Sequence, residues 1–177
     1  MKRLLVIVVV LAFATPCVAQ TAQPPKPGPE VQTLAYYLGT WKVEGKVNAG
    51  TPLGPAGTFS ATDTCEWFAG GFHLVCRSEG TGPKGMTTFL SIMAYDAKAK
   101  AYTYYGISSR GETESEKLTL TGSTWTSLSE ETVAGQPTRF RYTEVQESPT
   151  SYTFKAETSV AGGPWTVVME GKSTKVK

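Results

Sequence analysis

From Thr40 to the C-terminus, apolar and polar positions alternate in short runs rich in Thr, Val, Tyr, Phe and Trp, separated by Gly, Pro, Ser and Asn. A period of two with β-branched and aromatic residues predicts strands, and the punctuation predicts turns. Ten runs stand out: 40–47, 58–68, 72–79, 85–95, 101–108, 113–120, 124–133, 138–146, 151–160 and 165–175. The connectors are short: Gly70-Gly71, Asp96 to Lys100, Thr121 to Ser123, Ala134 to Pro137, Glu147 to Thr150 and Ala161 to Pro164. Parallel strands need crossovers of about a dozen residues or more, so these strands should meander antiparallel. An all-β meander must hide its two edge strands. Closure into a barrel does that directly, and a β-sandwich is the rival.

Ahead of the strands the pattern changes. Val31 to Leu38, with Leu34, Tyr37 and Leu38, fits one or two helical turns that Gly39 would stop. Residues 20–30 carry Pro24, Pro25, Pro27 and Pro29 among small and polar residues, the composition of an extended tether. Lys2 and Arg3, an apolar run from Leu4 to Ala14 and small residues to Ala19 read as a signal peptide over 1–19. That run is shorter than the roughly 20 residues a helix needs to span a bilayer. A lipoprotein would instead keep an acylated Cys17, but Thr15 and Pro16 suit that processing poorly. The expected product is a periplasmic or secreted domain over 31–177, without membrane insertion.

Export would change two counts. The 177-residue chain has 17 Lys+Arg against 15 Asp+Glu, and loss of Lys2 and Arg3 leaves it balanced. Scattered, balanced charge does not point to nucleic acid as a partner. Three cysteines become two, and Cys65 and Cys76 form an even pair suited to a disulfide in an oxidising compartment. They flank Gly70-Gly71 symmetrically, so they face each other across a hairpin. A four-residue loop, Ala69 to Phe72, would make them a non-hydrogen-bonded pair with the closer Cβ atoms that a disulfide requires.

The same hairpin divides into two faces. Phe59, Ala61, Asp63, Cys65, Trp67, Leu74 and Cys76 should look inward, with His73 and Glu66 among the residues on the polar side. Elsewhere Trp41, Val43, Val47, Tyr102, Tyr104, Tyr152, Phe154, Ala156, Trp165, Val167 and Met169 should also face in. Asp63 is the anomaly, because a carboxylate on an apolar face needs a partner. It would either lie near a rim or pair with Arg139 or Arg141, or else anchor a ligand. Candidate ligand-binding residues are Trp41, Phe59, Asp63, Trp67, Tyr104, Phe154 and Trp165; simple core packing is the plainer account of the aromatics.

Catalytic motifs are sparse. His73 is the sole histidine, and with both remaining cysteines paired no ordinary zinc set can be built. A serine triad would have to use His73, and no nucleophile-elbow motif is present. Glu112, Glu114 and Glu116 share one strand face, expected to meet solvent, and Gly80, Gly82, Pro83 and Gly85 read as a turn. No enzymatic activity is expected.

Leu38-Gly39-Thr40-Trp41-Lys42-Val43-Glu44-Gly45 resembles the Gly-x-Trp signature of lipocalins and other calycin-like barrels, in which the Trp plugs one end. With the export signal, the Gly-Gly hairpin and strands running to the C-terminus, the whole chain resembles the bacterial family called domain of unknown function 1579. That resemblance implies a calycin-like fold. Nitrobindin, a haem-binding barrel, begins with a similar Gly-x-Trp-x-Gly-x-Gly; Gly39, Trp41 and Gly45 match, but Val43 replaces the middle glycine. Nitrobindin-like haem sites need an axial histidine near the C-terminus, and 170–177 contains none, so neither haem nor any other cofactor is expected. The functional expectation is a barrel binding a small, largely apolar ligand, with a packed protein-interaction or envelope-structural module as the alternative.

Overall fold

The computed structural model describes residues 26–176; the signal-peptide expectation and the first prolines of the tether fall outside them. Ten strands form: β1 (Gly39–Val47), β2 (Gly57–Trp67), β3 (His73–Gly82), β4 (Gly85–Asp96), β5 (Ala101–Ser108), β6 (Thr113–Thr121), β7 (Thr124–Val133), β8 (Gln136–Ser148), β9 (Ser151–Val160) and β10 (Thr166–Lys175). Each pairs antiparallel with the next, and β1 pairs with β10, so the meander closes into a barrel. Turn chemistry fixes the registers. Between β7 and β8, Val133 pairs with Gln136 across Ala134-Gly135, both at positive φ (49° and 78°) as the tightest hairpin turn demands. Pro83-Lys84 alone separates Gly82 from Gly85, so the expected turn is shorter than read: Gly80 and Gly82 lie within β3 and face the interior.

The Cys65–Cys76 disulfide is formed, with the Cα atoms 4.1 Å apart. Phe68 N donates to the His73 carbonyl (2.8 Å) and Gly71 N to the Phe68 carbonyl (2.9 Å), closing the expected four-residue loop. Gly70, at φ 92°, supplies the left-handed residue that this turn needs.

One end of the barrel is sealed. Helix α1 (Pro29–Thr33) runs into a 3-10 turn over Leu34–Tyr37. It starts two residues before the expected position because Pro29, with its fixed φ and no amide hydrogen, suits the first turn. Leu34 and Tyr37 are buried against Trp41, Leu74, Tyr102 and Trp125. The Trp41 indole donates to the Tyr37 carbonyl at 2.7 Å, and the Tyr102 hydroxyl to the Glu30 carbonyl at 3.1 Å. Trp41 thus ties the helical plug to the wall, the role that the Gly-x-Trp resemblance implies.

The other end is different. Three inward phenylalanines lie flat across glycines of adjacent strands: Phe59 over Gly45, Phe89 over Gly106 and Phe154 over Gly171. A Cβ at any of these glycines would come within 3 Å of the ring. The rings therefore lie against the wall. β6 and β7 pair only from Leu118↔Ser127 to Thr121↔Thr124, next to the plug. Towards the open end, residues 113–117 and 128–133 are unpaired with each other, and the wall is split.

Candidate ligand-binding lumen

Register alone assigns the lumen. Trp41 pairs with Asp63, Cys65 with Cys76, Tyr104 with Glu116, Trp125 with Glu144, and Glu144 with Phe154. Paired residues share a face, so all of these look inward with the buried Trp41 and Trp125. Of the residues singled out from sequence, Trp41, Phe59, Asp63, Trp67, Tyr104 and Phe154 line one interior. Trp41 and Phe154 are buried in the core cluster, and Phe59, Trp67 and Tyr104 are partly buried against it.

Trp165 does not join them. A bulge between Val167 and Met169 shifts the register of β10 on β9, so Met169 looks in while Val167 pairs with Glu157 on the outer face. There the Arg141 and Arg139 guanidinium groups sit 4.3 Å and 5.4 Å from the centre of the Trp165 ring. Arg141 also bonds Glu157 at 2.9 Å. That hydrogen bond, against burial and with help from Lys155, holds the Glu157 carboxyl below the ordinary range. Neither arginine pairs with Asp63, contrary to that expectation, because odd-numbered positions of β8 face outward.

Asp63 instead sits opposite Ser78. Burial pushes its carboxyl up, with the Ser78 hydroxyl opposing, and its Oδ1 has no hydrogen-bond partner. A deeper carboxylate, Glu144, lies outside the residues singled out from sequence. It is 6% exposed. The Tyr37 hydroxyl donates to its Oε1, and the Tyr142 hydroxyl to Oε2 at 3.4 Å. Burial raises its carboxyl from the ordinary 4.5 to about 7, against the pull of the two tyrosines. Alternation in the run Phe140, Tyr142, Glu144 was the signal available for it.

Glu114 and Glu116 also correct an expectation. They share a face as foreseen, but it is the inner one, because Leu118 and Leu120 continue the same alternation into the core. Glu114 is reached by solvent yet enclosed enough for burial to raise its carboxyl, and Glu116, Glu112 and Glu131 push it further. Glu131, opposite Thr138 on β8, stands on the facing edge of the split. Exposed His73 keeps the outward place expected of it.

At mid-barrel, Asp63, Ser78, Tyr104 and Tyr142 all retain accessible surface although the wall surrounds them. The lumen is therefore incompletely filled. Two open grooves of about 400 and 420 Å³ lie against β1–β3, lined largely by outward residues such as Lys42, Glu44, Thr62 and Glu79. They contain none of the inner carboxylates.

The ten-stranded, closed antiparallel barrel plugged by an N-terminal helix has the calycin-like fold expected of it. The chain belongs to the family described as protein of unknown function (DUF1579), whose model matches residues 26–175. Among solved structures it is similar to Rv2717c from M. tuberculosis, at 11% identity and a TM-score of 0.57 over 86% of this chain and 100% of that one. It is also similar to the S-type phycobiliprotein lyase CPES from Guillardia theta, at 9% identity and a TM-score of 0.52 over 82% and 92%. At these identities the likeness concerns the fold. No curated protein matches the sequence.

Proposed function

We propose that this protein is an exported carrier or sensor that holds a small, largely apolar molecule in the barrel lumen, oriented by Asp63 or a tyrosine hydroxyl. One observation carries the reading: the mid-barrel polar side chains keep accessible surface while three phenylalanine rings are folded back on glycines. A barrel evolved only for stability would fill that space, since interiors pack to crystal-like density. Export is supported by the disulfide and by the N-terminal sequence pattern. The lyase among the structural neighbours supports a lumen given over to a small molecule, without naming one.

Native mass spectrometry of protein purified from its own host, beside a denatured sample, tests this. A discrete extra mass lost on denaturation is expected, and reduced by Asp63→Ala. A bare mass from every preparation would favour the second reading, an interaction module. That reading has its own support in an exposed apolar strip on β4 and β5, formed by Ile92, Tyr105 and Ile107.

A further inference from the structure

We propose that the lumen takes a small organic cation, an amine or quaternary ammonium on an apolar body, admitted through the split between β6 and β7. This rests on the lumen-binding reading above and adds the ligand's chemical class.

Charge is sorted across the wall. Asp63, Glu114, Glu116, Glu131 and Glu144 face inward. Among the described residues the only basic side chain on that face is Lys175, which pairs with Trp41 at the sealed end. Its ammonium lies 5.2 Å from the Trp41 ring centre and donates to the Tyr36 carbonyl at 3.4 Å, away from the opening. The described ion pairs use Glu170, Glu112, Glu157 and Glu147, and none uses an inner carboxylate. A chain whose charges nearly balance has therefore placed acid inside and most of its base outside.

The interior is also short of partners. Asp63 Oδ1 has no donor, and Ser173 Oγ and the Trp125 indole N–H are unbonded in residues 0% and 2% exposed. Both residues face inward, Ser173 opposite Tyr152 and Trp125 opposite Glu144. Buried polar atoms are normally satisfied; Asp63 Oδ1 and Ser173 Oγ are acceptors that an ammonium N–H can meet, whereas the Trp125 N–H is a donor that a cation leaves unpaired. An anion would meet carboxylates and no cation. A neutral guest would leave the carboxylates uncompensated. A cation supplies the missing charge, an amine also supplies N–H donors for Asp63 Oδ1 and Ser173 Oγ, and the faces of Tyr142 and Phe154, stacked 6.3 Å apart, add aromatic surface of the kind that attracts ammonium groups. No group of three described carboxylates, histidines or cysteines is arranged to hold a metal ion, which favours an organic cation.

The entrance has the same sign. Below Leu118 and beyond Ser127 the two strand edges separate, and Glu114, Glu116 and Glu131 face inward from them. A cleft lined by one charge concentrates ions of the opposite sign.

Three matched probes test the class: 2-phenylethylammonium, 2-phenylethanol and phenylacetate. Each is titrated into the purified protein while NMR follows the Trp125 indole and the Met93 and Met169 methyl signals. The cation is expected to shift these signals and bind about tenfold more tightly than the alcohol, with phenylacetate weakest. Asp63→Asn combined with Glu116→Gln should erase that preference, the cation losing about tenfold more affinity than the alcohol. Equal or tighter binding of the alcohol or phenylacetate at the same signals would overturn the cationic class and leave lumen binding standing. Silence of the lumen signals with all three probes would overturn both. A cation that shifts only outer-face signals would overturn the cation inference alone.

Discussion

Replacing Glu144 by Gln removes the most deeply placed charge in the lumen and should change how stability depends on pH. In the folded protein burial holds the Glu144 carboxyl at about 7; in the unfolded chain it returns to the ordinary 4.5. Below the lower value both states are protonated, and the group does not oppose folding. Between the two values the unfolded chain ionises while the folded one still holds its proton, so stability falls as pH rises. The loss is complete above about 7. At about 1.4 kcal/mol per pH unit, the difference amounts to about 3 kcal/mol. Gln keeps an acceptor oxygen for the Tyr37 hydroxyl and turns an amide N–H toward the Tyr142 oxygen but cannot ionise, so this loss disappears in the variant. Urea unfolding followed by tryptophan fluorescence, from about pH 4 to about pH 8, should show the variant gaining about 3 kcal/mol on the wild type across the range. Asp63 and Glu114 are present in both proteins and largely cancel in the comparison. Any constant offset from the new amide also cancels. Tyr37→Phe deletes a donor that lowers the Glu144 carboxyl and should move the wild-type transition to higher pH. Parallel pH dependences for wild type and Glu144→Gln would refute the account of a buried carboxylate without a cationic partner.

Other expectations follow from single contacts. Cys65→Ser with Cys76→Ser opens a loop with a sequence separation of 11 and should cost roughly 3 kcal/mol in chemical denaturation, without changing the barrel's circular dichroism. Ala134 occupies the left-handed region at φ 49°, so Ala134→Asn should raise stability by about 1 kcal/mol, read as a higher Tm. Gly106→Ala places a methyl against the Phe89 ring and should push that ring into the lumen. Reduced occupancy by a lumen ligand with little loss of stability is expected, and unchanged occupancy in a titration would show that Phe89 does not border the binding space.

Most of the fold was legible because strands and turns are local. The period of two located all ten strands, and Gly70-Gly71 with the symmetric cysteines gave the hairpin register. Faces were legible wherever an aromatic residue marked the inner side, as at Trp41, Phe59 and Phe154. Two places failed for different reasons. The bulge between Val167 and Met169 inserts a residue that changes the parity of β10, and nothing in Trp165-Thr166-Val167-Val168-Met169 announces it. On β6 the alternation holds, but charge there does not mean solvent. Glu114 and Glu116 face the barrel interior, and only the continuation to Leu118 and Leu120 reveals it.

The β6 error has a physical cause that bears on function. Binary patterning identifies a core when the interior is apolar, and it inverts where the interior is wet. In this barrel the apolar rule holds at the plugged end, where Leu34, Trp41, Leu74 and Trp125 are almost wholly buried, and it fails progressively towards the split between β6 and β7. Stability therefore comes largely from the plugged end and the disulfide, while inner carboxylates, from Glu144 against the plug to Glu114 at the split, oppose folding when ionised. A protein gains nothing from that arrangement as a scaffold. It gains if the cost is reversed on binding, because a guest that satisfies Asp63 and lowers the Glu144 carboxyl binds the folded state alone and stabilises it by mass action. The ligand-free protein should then be least stable above neutral pH, where the inner carboxylates are ionised, and a lumen cation should stabilise it most under those conditions.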